Sequence, residues 1–211
     1  MKMPIASSSR RGLTSLSLII ATVVTVCAQG TITFDAHVGG GGAYFHDLGM
    51  WFRLVIPPGT TGRDDMAIIA GGGNTPYNGT PFMGWFRQYN PYDYVSLSLT
   101  NGSLFGLSSV QLADPTAPSP APVSISFVGY LPGGSTVTNT FTTPGNGATT
   151  FQNYTFTSDF AFGLASVDIL APRWAMDNLA YVIPEPSAAG LFLIGLLGWA
   201  AGRKRARRWF P

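Results

Sequence analysis

Glutamate is absent from the sequence until Glu185, and cysteine occurs once, at Cys27. Basic residues are almost missing from the middle. Arg53, Arg63, Arg87 and Arg173 are the four between the ends, against nine aspartates, so the body carries a charge of −5 although the whole chain is +2. A negative body without a basic cluster lacks the phosphate contacts that supply most non-specific affinity for DNA, which argues against a nucleic-acid partner. One cysteine excludes a disulfide framework. Paired-carboxylate chemistry would have to use aspartates alone, and Asp64 and Asp65 are adjacent, so an extended backbone points them to opposite sides. The two histidines, His37 and His46, lie in a Gly-rich stretch without metal-ligand spacing and read as solvated loop residues. No Gly-x-Ser-x-Gly elbow occurs, and no Gly-Lys-Ser/Thr follows the glycine runs at 39–42 and 71–73. These absences favour a protein that is not an enzyme.

The remaining charges sit at the two ends. Lys2, Arg10 and Arg11 precede a charge-free apolar stretch, 13–26, of the length expected for a secretory signal peptide. Cleavage is expected after Ala28. Cys27 would then leave with the signal, and the mature chain would hold no thiolate nucleophile and no cysteine zinc ligand. The alternative is an uncleaved N-terminal anchor. At the other end, Pro184-Glu185-Pro186 is followed by 188–202, which carries no charge, and then by Arg203, Lys204, Arg205, Arg207 and Arg208. Pro184 and Pro186 fix φ and bar both helix and central strand. As a helix, 188–202 would be ~22 Å long at ~1.5 Å per residue, short of a ~30 Å bilayer core. It would span only with thinning or with help from its flanks. Trp199 and Trp209 suit the interface, and the basic cluster stops transfer on the cytoplasmic side. Both ends are therefore expected inside and the body outside.

This three-part end, Pro184-Glu185-Pro186, apolar helix and terminal arginine cluster, resembles the PEP-CTERM sorting signal of Gram-negative bacteria over residues 183–211. Ile183 stands where valine is more usual. The resemblance implies an exosortase-type transpeptidase as partner, transient anchoring in the inner membrane, removal of the tail, and release to the cell surface or matrix.

Residues 29–182 are expected to form one domain between the signal peptide, 1–28, and the sorting signal, 183–211. Apolar residues alternate with polar ones in 123–128 and 95–100, the second followed by the turn dipeptide Asn101-Gly102. Segments 137–141 and 151–157 are rich in threonine and aromatics, as strands prefer. Further strands are expected at 31–34, 50–56, 66–70, 82–86, 105–112, 165–170 and 174–182. Short strands at near-regular spacing predict an all-β antiparallel sandwich. The Pro-rich stretch 114–122 reads as an extended crossover between sheets. Segments 127–130, 137–141, 166–169 and 175–179 resemble the closing strands of galactose-binding-like jelly rolls. That resemblance implies a jelly-roll topology and a structural calcium with Asp177 at the matching position; calcium would need six or more oxygens.

Tyr77, Trp85, Tyr89, Tyr92 and Tyr94 cluster among Asn78, Arg87, Gln88, Asn90 and Asp93. Flat aromatic faces beside amides and carboxylates suit sugar binding, through apolar contact with C–H faces and directed hydrogen bonds. Trp85 and Tyr94 are expected in the core, and Tyr77, Tyr89 and Tyr92 at a polysaccharide-binding surface. Three function classes remain. They are an exported non-enzymatic protein that binds polysaccharide, a purely structural surface protein, and a secreted hydrolase whose motif is not recognisable.

Overall fold

The computed structural model describes residues 27–37, 41–59, 66–70, 76, 78–85, 93–114, 121–145, 150–171 and 173–184. All lie within one compact unit, Val26–Glu185. The signal-peptide stretch 1–26, Glu185, Pro186, the apolar stretch 188–202, the five C-terminal basic residues and Tyr77, Tyr89 and Tyr92 lie outside the described residues. Among the described residues no helix is long and apolar enough to cross a membrane.

Among those residues the chain folds into two antiparallel sheets with two single-turn helices, Asp35–His37 and Ser158–Phe160. The first sheet is ordered β11 (Gln152–Thr155), β8 (Gly106–Ala113), β13 (Trp174–Pro184), β6 (Phe82–Trp85), β5 (Met66–Ile69) and β2 (Gly41–Gly42). β1 (Cys27–Ile32) joins the far half of β13, pairing Cys27 with Pro184 through Ile32 with Leu179. The second sheet is ordered β10 (Thr136–Thr142), β9 (Ser124–Tyr130), β12 (Ser166–Leu170), β7 (Tyr94–Leu99), β4 (Met50–Val55) and β3 (Tyr44–Asp47).

The period-two pattern of the strands makes the core. β7 buries Val95, Leu97 and Leu99 and turns Tyr94, Ser96 and Ser98 outward. β4 does the same with Met50, Phe52 and Leu54 inside, and β9 with Ile125 and Phe127. These residues pack on Leu107, Val110 and Leu112 of β8 and on Trp174, Met176 and Leu179 of β13 in one cluster. Two aromatic groups stiffen it. Phe52 stacks on Phe45 at 4.8 Å and meets the edge of Phe34 at 5.7 Å. Phe127 meets Phe156 at 5.0 Å, and Phe156 stacks on Phe160 at 5.1 Å.

Several expectations need correction. The Gly-rich stretch around His46 is not a solvated loop: Tyr44–Asp47 is an edge strand, and Gly41–Gly42 pairs with β5. Its hairpin turn is Leu48-Gly49, both with positive φ (46° and 80°), a conformation that leucine rarely signals. Asn101-Gly102 turns the chain as expected, with Asn101 Oδ1 accepting from Ser103 N at 2.9 Å, and leads into β8 of the other sheet. β1 begins at Cys27, ahead of the expected cleavage point, and β13 runs on to Pro184. A proline fits there because the strand ends at that residue, so its missing N–H interrupts no central ladder. The stretch after Asp114 does lead from one sheet to the other, since β8 and β9 lie in different sheets.

Candidate functional site

The outward positions of the six-stranded sheet assemble a surface that no single segment reveals. Register places Thr136 beside Tyr130, Tyr130 beside Ser166, Ser98 beside Trp51, and Trp51 beside His46. The β12–β7 register, with Val167 opposite Leu97 and Asp168 opposite Ser96, carries Ser166 alongside Ser98. One row thus crosses all six strands: Thr136, Tyr130, Ser166, Ser98, Trp51, His46. The parallel row reads Thr138, Val128, Asp168, Ser96, Arg53, Tyr44. Trp51 is 43% exposed, Tyr130 38% and Tyr44 67%, high for large aromatic side chains on a sheet. Trp51, Arg53, Ser96 and Ser98 line a shallow depression.

Beneath this surface Asp168 organises the polar groups. It is 8% exposed, and burial pushes its carboxyl above the ordinary range. Hydrogen bonds donated by the Ser96 and Tyr130 hydroxyls, and the Arg53 charge, pull it back. The bond to Asp168 raises the Tyr130 phenol in turn, with burial adding to it. The neighbouring Tyr94 phenol is raised first by burial and then by the Asp168 charge. Asp168 therefore ties down the hydroxyl end of Tyr130 and balances Arg53. Among the described residues of this face it is the one carboxylate.

The residues expected to bind ligand are distributed differently. Tyr77, Tyr89 and Tyr92 lie outside the described residues, as does the side chain of Trp85. Tyr94, expected in the core, is half-buried on the outer face, because the inward parity of β7 belongs to Val95. Pro184 ends β13 opposite Cys27; Glu185, Pro186, Arg203, Lys204, Arg205, Arg207 and Arg208 lie outside the described residues. Trp51, Arg53, Tyr130 and Asp168 carry the surface and were not singled out by sequence reasoning. The one available signal was parity: a tryptophan and an arginine occupy the outward positions of a strand whose inward positions are Met50, Phe52 and Leu54.

Asp177, the calcium position implied by the jelly-roll resemblance, accepts hydrogen bonds from protein donors. It is fully buried on the side of β13 away from the core, at an irregularity where Asn178 adopts a φ of 47°. Its Oδ2 accepts from Asn78 Nδ2 at 2.7 Å and Thr80 Oγ1 at 2.9 Å, and its Oδ1 from the Asn178 backbone N–H at 2.7 Å. Both oxygens are thus occupied by donors. Among the described residues no three histidine, cysteine, aspartate or glutamate side chains gather. Burial pushes this carboxyl upward despite those three bonds, and the Asp35 charge adds to the rise. The arrangement makes Asp177 a clamp that holds the segment bearing Asn78 and Thr80 against the sheet.

Comparison with protein-family models yields no match, and no curated protein matches the chain. Among solved structures it is similar to the N-terminal CBM22-1–GH10 modules of Clostridium thermocellum endo-1,4-beta-D-xylanase 10B complexed with xylohexaose. The identity is 13% and the TM-score 0.37, over 72% of this chain and 28% of that one, so the chain spans just over a quarter of the length of that protein. It is also similar to the CBM22-1 xylan-binding domain of Paenibacillus barcinonensis Xyn10C, with 13% identity and a TM-score of 0.38 over 79% of this chain and 100% of that one.

Proposed function

We propose that the protein is an exported, non-enzymatic surface or matrix protein of a Gram-negative bacterium that binds polysaccharide on the outer face of its six-stranded sheet. The observation that carries the reading is the row holding Trp51 and Tyr130. Two aromatic side chains stand well exposed, and the positions between them are serines. Apolar ring faces for sugar C–H groups and hydroxyls for sugar oxygens are what such recognition needs. Arg53 and Asp168 balance each other, which suits an uncharged sugar better than an acidic one.

Export rests on the terminal segments. Signal peptidase acts near Ala28, and an exosortase-type transpeptidase acts near Pro184-Glu185-Pro186 after the basic cluster has halted the apolar helix in the inner membrane. Cys27 pairs with Pro184, so the two expected processing points lie side by side at one end of a ladder. Cleavage after Ala28 would leave Gln29 to pair with Val182, so most of β1 survives it.

Affinity electrophoresis tests the binding reading. The full chain, in a detergent without a sugar headgroup, is run through gels that each contain one soluble neutral polysaccharide. At least one gel is expected to retard it, with the retardation relieved in the Trp51→Ala variant. Unretarded migration in every gel would remove polysaccharide binding and leave a structural surface protein.

A further inference from the structure

We propose that the ligand is the interior of a single linear, extended polysaccharide chain, lying across the strands and contacting at least four consecutive sugar units. This rests on the polysaccharide reading above and deepens it. Trp51 on β4 and Tyr130 on β9 share a row and are separated by β7 and β12. Three strand spacings of ~4.8 Å put their backbones ~14 Å apart. The intervening Ser98 and Ser166 are short, so the row is a trough between two aromatic shoulders, with hydroxyls along its floor. A pyranose unit in an extended 1,4-linked chain is comparable in length to one strand spacing. The sugar against Trp51 and the sugar against Tyr130 are then three units apart, and four units are the shortest piece that touches both.

Two further features select the interior of a chain and a soluble one. The row does not end at its aromatics. Thr136 lies beyond Tyr130 and His46 beyond Trp51, both exposed, so among the described residues the row stays open at both ends. A sheet twists by roughly 20–25° per strand, which rotates the Trp51 position by about 60–75° from that of Tyr130. A flat crystalline surface would meet one aromatic and miss the other, whereas a single chain can follow the turn.

The test is calorimetric titration of the full chain, in the same detergent, with linear β-1,4-linked oligosaccharides of two to six glucose, mannose or xylose units, and with the matching soluble polymers. Affinity is expected to rise by at least about tenfold between three and four units, the gain of engaging a second aromatic ring, and then to level off. Trp51→Ala and Tyr130→Ala should each remove that step while leaving the weak binding of the trimer. Two results would overturn the proposal and leave the polysaccharide reading intact: affinity already complete at two units, or a length step that survives Tyr130→Ala. Absence of binding to every polymer and oligomer would instead refute the polysaccharide reading, and this proposal with it.

Discussion

Trp51 and Phe52 are adjacent, yet truncating them should have opposite consequences. Phe52 is wholly buried between Phe34 and Phe45, so Phe52→Ala should cost about 3–5 kcal/mol of stability. Trp51 faces outward and is 43% exposed. Its outer surface is then about 110 Å², taking roughly 250 Å² for the whole side chain. Complete cover by a ligand would contribute at most about 2.7 kcal/mol at ~25 cal/mol per Å². A sugar ring covering half of it gives about 1.4 kcal/mol, or tenfold in affinity. Trp51→Ala should therefore weaken oligosaccharide binding about tenfold, while the urea midpoint moves by no more than a lost cross-strand pair allows, about 0.2–1 kcal/mol. Calorimetry and urea unfolding on the same two variants would check both numbers. Unchanged affinity in Trp51→Ala, or a stability loss in it as large as in Phe52→Ala, would refute the assignment of this face.

Other expectations follow from the same geometry. A Cβ on Gly106 would lie 1.9 Å from the Ala161 carbonyl oxygen and 2.3 Å from its carbon, so Gly106→Ala should cost about 1–3 kcal/mol in urea unfolding. Gly133, with open space around it, should accept alanine at little cost. The Asp168 and Asp177 carboxyls are raised by burial, so the folded state holds protons that the unfolded state has released. Their contribution is fully present below the unfolded value of ~3.9 and is lost as pH rises through the raised folded values. Thermal unfolding across the acidic range should show a shallower pH dependence in Asp168→Asn than in the unaltered protein; an unchanged slope would contradict this. In the native host, replacing Arg203, Lys204, Arg205, Arg207 and Arg208 with glutamine should yield uncleaved protein lost from the membrane. Glu185→Ala should yield uncleaved protein retained in it, and normal processing of both would leave the C-terminus a plain anchor.

The strands β7 and β9 were legible because their alternation is strict: Val95, Leu97, Leu99 and Ile125, Phe127 carry the core on one side. β3 was not, because four glycines precede it and its hairpin turn uses Leu48, whose left-handed backbone no local signal announces. Tyr94 was misplaced for a related reason. An aromatic at a strand start can take either face, and only the register with the outward Val55 settles which. Tyr77, Tyr89 and Tyr92 are close together in sequence, whereas the aromatic row joins Trp51 and Tyr130. Sheet order alone brings those two together, and the fourth and ninth strands of this chain become near neighbours only through β7 and β12. The partners of Asp177, Asn78 and Thr80, lie almost a hundred residues earlier, so no local pattern announces the bonds that hold it.

The claim that the outer face of the six-stranded sheet holds the sugar is most directly tested by locating a bound oligosaccharide. The full chain, with tryptophan, serine and tyrosine labelled for NMR and held in a detergent without a sugar headgroup, is titrated with the tightest-binding oligosaccharide from the length series. The account predicts that the indole N–H of Trp51 and the amides of Ser96, Ser98, Tyr130 and Ser166 shift together along one saturation curve. Shifts confined to Tyr77, Tyr89 and Tyr92, with Trp51 and Tyr130 unmoved, would contradict it.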